Sequence, residues 1–219
     1  MSASSYDVVV IGSGPAGREA AQTATALGAT ALIVEQEREP GGACVKYGTI
    51  PSKTLRETAV LLSSFERRVG GVFRLEAQGD LRLSALMARL REVVEQHEHT
   101  IEAQLAADSV DRWHGRGRFL GSGEVEVINP RGERRRVRGR HVVIATGSRP
   151  RNPPEIPIDH ECVLDSDSIL SLSYLPKSLA VLGAGVIASE YASIFAALGV
   201  EVTMIDRGER PLGFLEPEL

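Results

Sequence analysis

Short unbroken apolar runs alternate with longer amphipathic stretches along most of the chain, and one such alternation occurs twice. Val8 to Ile11 is wholly apolar and stops at Gly12. That pattern predicts a buried parallel strand over Asp7–Ile11. Pro15–Leu27 is rich in alanine and predicts a helix ended by Gly28. Thr30–Glu35 predicts a second strand. Leu179–Leu182, Val186–Leu198 and Val200–Ile205 repeat the same strand, helix, strand order. Between the copies, Glu39–Thr49 reads as a glycine-rich loop, and Pro51 opens a helix over Ser52–Ser63. Leu81–Leu105 carries Leu83, Leu86, Leu90, Val93, Val94 and Ile101 at helical spacing, with charges on the other face. Val110–Asn129 alternates around Gly121 and Gly123, which predicts hairpin strands. Arg131-Gly132 reads as a turn, Arg135–Arg138 as the start of a strand and His141–Ala145 as a further strand.

The alternation of strands and helices predicts an α/β fold. A Rossmann-like dinucleotide-binding domain with a β-hairpin or meander insertion is expected over residues 1–150. A linker and the first β-α-β of a second Rossmann-like domain are expected over 151–219. Ser148–Pro157 holds four prolines and reads as the linker. Two parallel strands and one helix bury no core of their own. Val181, Ile187, Ile194 and Val202 are therefore expected to lack cover, and the second domain to be incomplete within this chain.

Composition narrows the classes. A net charge of −4 over 219 residues gives no basic surface for nucleic acid. The arginines of Arg131–Arg140 read as a solvated hairpin. No apolar run nears the ~20 residues of a membrane span, and Met1–Tyr6 is not a signal peptide. Two cysteines, Cys44 and Cys162, make no disulfide framework. The five histidines show no metal-ligand spacing, so no metal is expected. A cytoplasmic protein fits.

The chemistry sits where each first strand ends. Gly12-Ser13-Gly14-Pro15-Ala16-Gly17 is followed by Glu35, and Gly183-Ala184-Gly185-Val186-Ile187-Ala188 by Asp206. In both copies the acid lies 23 residues after the first glycine. Gly12 and Gly183 permit the tight turn, Gly14 and Gly185 let backbone approach a pyrophosphate, and Gly17 and Ala188 let helix pack on strand. The helix N-terminus offers free N–H groups and a positive dipole end to phosphates. The acid accepts from a ribose hydroxyl. Two such units imply two dinucleotides and hence a redox enzyme. Asp206 favours the free 2′-hydroxyl of NAD, whereas Arg207 or Arg210 offers a clamp for a 2′-phosphate.

The segment Gly41-Gly42-Ala43-Cys44-Val45-Lys46-Tyr47-Gly48-Thr49-Ile50-Pro51-Ser52-Lys53 resembles the active-site loop of the flavoprotein disulfide reductases. Ala145-Thr146-Gly147, Pro176-Lys177-Ser178 and Glu190-Tyr191-Ala192 extend the resemblance across the chain. Members carry two cysteines in this loop; Cys44 matches the first, and Thr49 stands where the second falls. A hydroxyl forms no disulfide, so the dithiol relay is missing. The pattern is similar to the flavin-dependent transhydrogenase branch of the family. The resemblance implies FAD, NAD(H) and NADP(H) as cofactors, hydride transfer between NADPH and NAD, and a homodimer. It implies that Gly12, Gly14, Gly17, Glu35 and Gln36 hold the ADP half of FAD, with Gly117 beside the adenine. Gly41, Gly42, Cys44, Thr146 and Gly147 are implied nearer the flavin. Lys53, paired with Glu190, is implied at flavin N5, and Gly183, Gly185, Ala188 and Asp206 at NAD(H). Cys44 reads equally as an inert small residue. Two other readings stay open: a dihydrolipoamide dehydrogenase-like or NADH oxidase-like reductase, and a non-catalytic FAD-binding fragment.

Overall fold

The computed structural model describes residues 4–69 and 79–216. The chain forms two compact units, Met1–Lys46 with Val94–Arg149, and Tyr47–Val93 with Pro150–Leu219.

The first unit is built on strands β1 (Ser4–Ile11), β2 (Ala31–Glu35), β3 (Asp111–His114), β4 (Arg116–Gly121), β5 (Glu124–Ile128) and β6 (Arg134–Ile144). They form one sheet in the order β3-β2-β1-β6-β5-β4. β1 runs parallel to β2 and β6, and β2 parallel to β3, while β4, β5 and β6 pair antiparallel. Every residue of β2 is buried, as a central parallel strand covered on both faces requires. Val9, Ile11, Leu32 and Val34 alternate onto one face and cluster with Val125, Val127 and Val137. Helix α1 (Pro15–Ala26) starts from Gly14 in extended backbone, with Pro15 at its first position. Helix α2 (Gly42–Lys46) follows β2.

Three expectations need correction here. The loop Glu39–Thr49 contains α2, a helix too short to show a periodic pattern. Of the hairpin strands expected over Val110–Asn129, β4 and β5 pair antiparallel around Gly121 and Gly123 as expected and β5 pairs on with β6, but β3 joins the parallel sheet beside β2. The strands expected over Arg135–Arg138 and His141–Ala145 are one strand, β6, which ends at Ile144. It pairs with β1 in unbroken register from Ser4↔Val137 to Ile11↔Ile144, passing Gly139 without a break. Gly139 is needed there because a Cβ would lie 2.9 Å from Val9 Cγ2 and 2.7 Å from the His141 carbonyl oxygen.

The second unit holds α3 (Thr49–Val69), the first part of α4 (Gly79–Ala107), β7 (Ser178–Leu182), α5 (Val186–Ala197) and β8 (Glu201–Ile205). α3 begins at Thr49 rather than Ser52; Pro51 falls in its first turn, where no intrahelical N–H is needed. Along α4, Leu83, Leu86, Leu90 and Ile101 are buried, and Val93 and Val94 half-buried. Strands β7 and β8 pair parallel, Ser178↔Glu201 through Leu182↔Ile205. α5 packs on both strands and on α3. Ile194 is therefore buried, against expectation, and Val181 and Val202 are half-buried. Ile187 is open as expected, and Leu182 and Ile205 are large apolar residues exposed on β7 and β8.

Candidate functional site

At the end of β1 the backbone turns at Gly12 with φ +105°, and its N–H donates to the Val34 carbonyl at 2.8 Å. A Cβ on Gly12 would lie 2.3 Å from the Ala145 carbonyl oxygen, so Ala145-Thr146-Gly147 lies directly beside the turn. A Cβ on Gly17 would lie 2.0 Å from the Gly12 carbonyl oxygen and 3.1 Å from Val10 Cγ1. Helix and strand thus touch through hydrogen alone. Gly14 differs: a Cβ there meets nothing nearer than Gly42 Cα at 4.0 Å, so space is open above the helix start. Gly42 has φ +63°, and a Cβ on it would lie 2.7 Å from Gly14 Cα. Two bare backbones pass each other at the mouth of α1.

Glu35 closes the loop from the end of β2 and is 6 % exposed. Its Oε2 accepts from the Ser13 N–H at 2.8 Å and Ser13 Oγ at 2.6 Å, and its Oε1 accepts from the Glu37 N–H at 2.9 Å. Ser13, fully buried, also accepts from the Gly41 N–H at 3.2 Å. Ser13 is thus a hub that sequence reasoning missed; a serine between two glycines carries no signal by itself. Gly115 was missed too. Its N–H donates to the Glu35 carbonyl at 2.7 Å, which continues the β2–β3 edge. Gly117 lies over the strand ends, where a Cβ would meet Ile11 Cγ2 at 3.0 Å and Val34 Cγ1 at 3.2 Å. The Gln36 carbonyl lies 3.2 Å from His114 Nε2. These positions fit a dinucleotide: open space over a helix N-terminus, a fixed buried carboxylate with lone pairs to spare, and glycine wherever backbones approach.

Cys44 is half-buried on α2 and has a free thiol; Cys162 is exposed and also free. Thr49 is exposed at the start of α3.

In the second unit, Lys53 on α3 and Glu190 on α5 form an ion pair through Nζ and Oε1. Ser52 Oγ lies 3.3 Å from the same Oε1 and 3.3 Å from the Thr49 carbonyl. The Glu190 side chain is 17 % exposed and that of Lys53 54 %. Tyr191 is buried with its hydroxyl unpartnered, and its pKa is pushed above the ordinary tyrosine range, first by burial and then by the nearby Glu190 and Asp167 carboxylates.

The second glycine loop repeats the first in backbone. Gly183 has φ +106°, and its N–H donates to the Ile205 carbonyl at 2.8 Å. Gly185 caps α5 in extended backbone, and Ala188 is half-buried in its first turn. Cβ atoms on Gly183 and Gly185 would meet nothing within 4 Å. Asp206 Oδ2 accepts from the Gly208 N–H at 2.8 Å, which orients the carboxylate at the end of β8. Arg207 is exposed.

The family model for pyridine nucleotide-disulphide oxidoreductases matches residues 6–219. The chain belongs to that family. Membership implies a flavin and a pyridine nucleotide as its cofactor classes. Relatives named soluble pyridine nucleotide transhydrogenase share 43 % identity over 217 residues in Mycobacterium bovis and 41 % over 226 residues in Pseudomonas putida. These alignments cover 98 % and 100 % of this chain but 46 % and 47 % of the relatives, so the chain spans about half their length. Among solved structures, LpdA from Mycobacterium tuberculosis superposes with a TM-score of 0.81 at 26 % identity, over 94 % of this chain and 45 % of that one. The flavoprotein disulfide reductase RclA from Escherichia coli superposes with a TM-score of 0.82 at 28 % identity, over 99 % of this chain and 45 % of that one. Among the described residues no helix is long and apolar enough to cross a membrane, and no group of metal-ligating side chains is assembled.

Proposed function

We propose that this chain belongs to an FAD-dependent oxidoreductase that passes hydride between NADPH and NAD. The observation that carries the reading is the pair of glycine loops, each opening a helix and each followed at the next strand end by a carboxylate that accepts from backbone N–H, Glu35 from Ser13 and Asp206 from Gly208. One loop for FAD and one for a nicotinamide dinucleotide serve hydride transfer through the flavin. The names of the relatives at 41–43 % identity support the same reading.

The residues divide the work as follows. Residues 1–150 supply the FAD site: Gly12, Gly14 and Gly17 admit the pyrophosphate to the N-terminus of α1, and Glu35 with Gln36 takes the ribose end. Gly41, Gly42, Gly117, Thr146 and Gly147 complete the backbone surface around it, with Cys44 on the flavin side. Residues 151–219 supply the second site: Gly183, Gly185 and Ala188 receive a nicotinamide dinucleotide, and Asp206 accepts from the 2′-hydroxyl of NAD. Bound FAD supplies two-electron hydride chemistry. Lys53, paired with Glu190, is by resemblance the cation assigned to flavin N5, where a positive charge would favour the reduced, anionic flavin. The full-length enzyme is a cytoplasmic homodimer in this reading.

Thr49 separates this function from its main rival. The solved neighbour RclA is named a disulfide reductase, but Cys44 has no second thiol in its loop, and thiol–disulfide exchange needs a resolving thiolate. The test is anaerobic stopped-flow reduction of the flavoprotein by NADPH, followed by mixing with an NAD analogue. Rapid return of the oxidised spectrum is expected. Steady reduction of lipoamide or glutathione disulfide instead sinks the proposal.

A further inference from the structure

Arg210 follows Asp206 closely and, in sequence, reads as a candidate clamp for a 2′-phosphate. Its side chain is committed elsewhere. Nη1 donates to the Glu216 carbonyl at 3.3 Å, and Nη2 donates to the carbonyls of Gly213, at 3.4 Å, and Leu215. The same segment is tied to the second glycine loop, because the Leu212 N–H donates to the Ala184 carbonyl at 2.8 Å. Leu212, Phe214 and Leu215 then line a cavity of about 490 Å³ together with Val186, Lys53 and Glu190.

We propose that Arg210 is a positioning residue that pins the segment 208–216 beside the second glycine loop as a wall of the nicotinamide-nucleotide site, and that it does not bind a nucleotide phosphate. The proposal rests on the reading of that loop as a nucleotide site. The carbonyls of an irregular segment have no ladder partners and must find donors. A guanidinium serves several at once through its rigid fork, which a lysine does not match. A phosphate would have to compete with three carbonyls for the same two terminal nitrogens. A wall of this kind acts on whichever nicotinamide nucleotide is bound. NADH and NADPH differ only in the 2′-phosphate, so loss of the wall weakens both alike. Arg207, exposed and next to Asp206, is the cation left to discriminate.

The experiment compares Arg210→Ala, Arg210→Lys and Arg207→Ala in the intact protein by two measurements. One is the dissociation constant for NADH and for NADPH. The other is the rate of chymotryptic cleavage after Phe214 or Leu215 without nucleotide. Arg210→Ala should weaken both nucleotides by one common factor of about tenfold, as if the ordered wall were present a tenth of the time. It should also speed cleavage severalfold, and Arg210→Lys should follow it in both respects. Arg207→Ala should weaken NADPH alone and leave cleavage unchanged. A loss confined to NADPH in the Arg210 variants makes Arg210 a phosphate ligand and overturns the proposal. Unchanged cleavage overturns it as well. If the wild-type protein binds neither nucleotide, the nucleotide-site reading fails on its own, and the cleavage rates still decide whether Arg210 pins the segment.

Discussion

Glu35 and Asp206 occupy equivalent places in the two glycine-loop units but differ in what surrounds them. Glu35 is buried and receives three donors from Ser13 and Glu37. Asp206 is exposed and receives the Gly208 N–H. Truncating Glu35 therefore strands buried donors and, in the proposed FAD site, also removes the ribose acceptor. A hydrogen bond to a charged group contributes about 1.5–3 kcal/mol. Glu35→Ala should weaken FAD retention roughly ten- to hundredfold on that basis, and should lower thermal stability as well. Equilibrium dialysis of the apoprotein and a melting curve check both parts; an unchanged dissociation constant makes Glu35 a purely internal brace. Asp206→Ala has little to destabilise. It should weaken NADH more than NADPH, because in the proposed second site the carboxylate would accept from a 2′-hydroxyl and repel a 2′-phosphate. Equal losses in fluorescence titrations of the two nucleotides remove Asp206 from the ribose.

At the scale of elements, the start of α1 and the start of α2 approach each other through bare backbone. Gly42 sits in left-handed backbone, and an added Cβ would lie 2.7 Å from Gly14 Cα. Both partners are backbone, so neither can swing aside as a side chain would. Gly42→Ala should cost about 1–2 kcal/mol for the left-handed conformation and about 1–3 kcal/mol more for overpacking. Gly28→Ala offers a control, since it shares the positive φ but meets nothing within 4 Å. The melting temperature of the Gly42 variant should fall further than that of the control, with bound flavin lost along with it. Equal shifts in both variants would show that the approach of α2 to α1 carries no strain.

For the whole molecule the open question is cover. Leu182 and Ile205 are 66 % and 52 % exposed on the two-stranded sheet, and Phe214 is 71 % exposed. A parallel pair with one helix leaves a sheet face to water, and parallel sheets are otherwise covered on both faces. Residues 1–219 expressed alone should self-associate, hold little flavin and show no transhydrogenation. Size-exclusion chromatography, the bound-flavin ratio and hydrogen exchange beyond Ser178 measure this. A monomer with stoichiometric flavin and protected amides over Leu179–Ile205 contradicts it.

The glycine loops, their following helices and their acids were legible in the chain because they are local devices. A tight turn, a helix N-terminus and a strand end lie within 23 residues of each other, and each demands its own residue type. The unbroken apolar runs of β1 and β2 likewise announced buried parallel strands. The placement of β3 was not legible, since a four-residue strand can pair with any neighbour whose edge is free. The unity of β6 was hidden by Gly139, which reads as a break until Val9 is found against it. Ser13 as a hub, Gly115 beside Glu35, and Arg210 turned onto its own loop were equally out of reach. Their roles come from hydrogen-bond partners that only the folded backbone brings within about 3 Å. Lys53 and Glu190 stand 137 residues apart, and their ion pair exists because α3 packs on α5, a contact that no local pattern encodes.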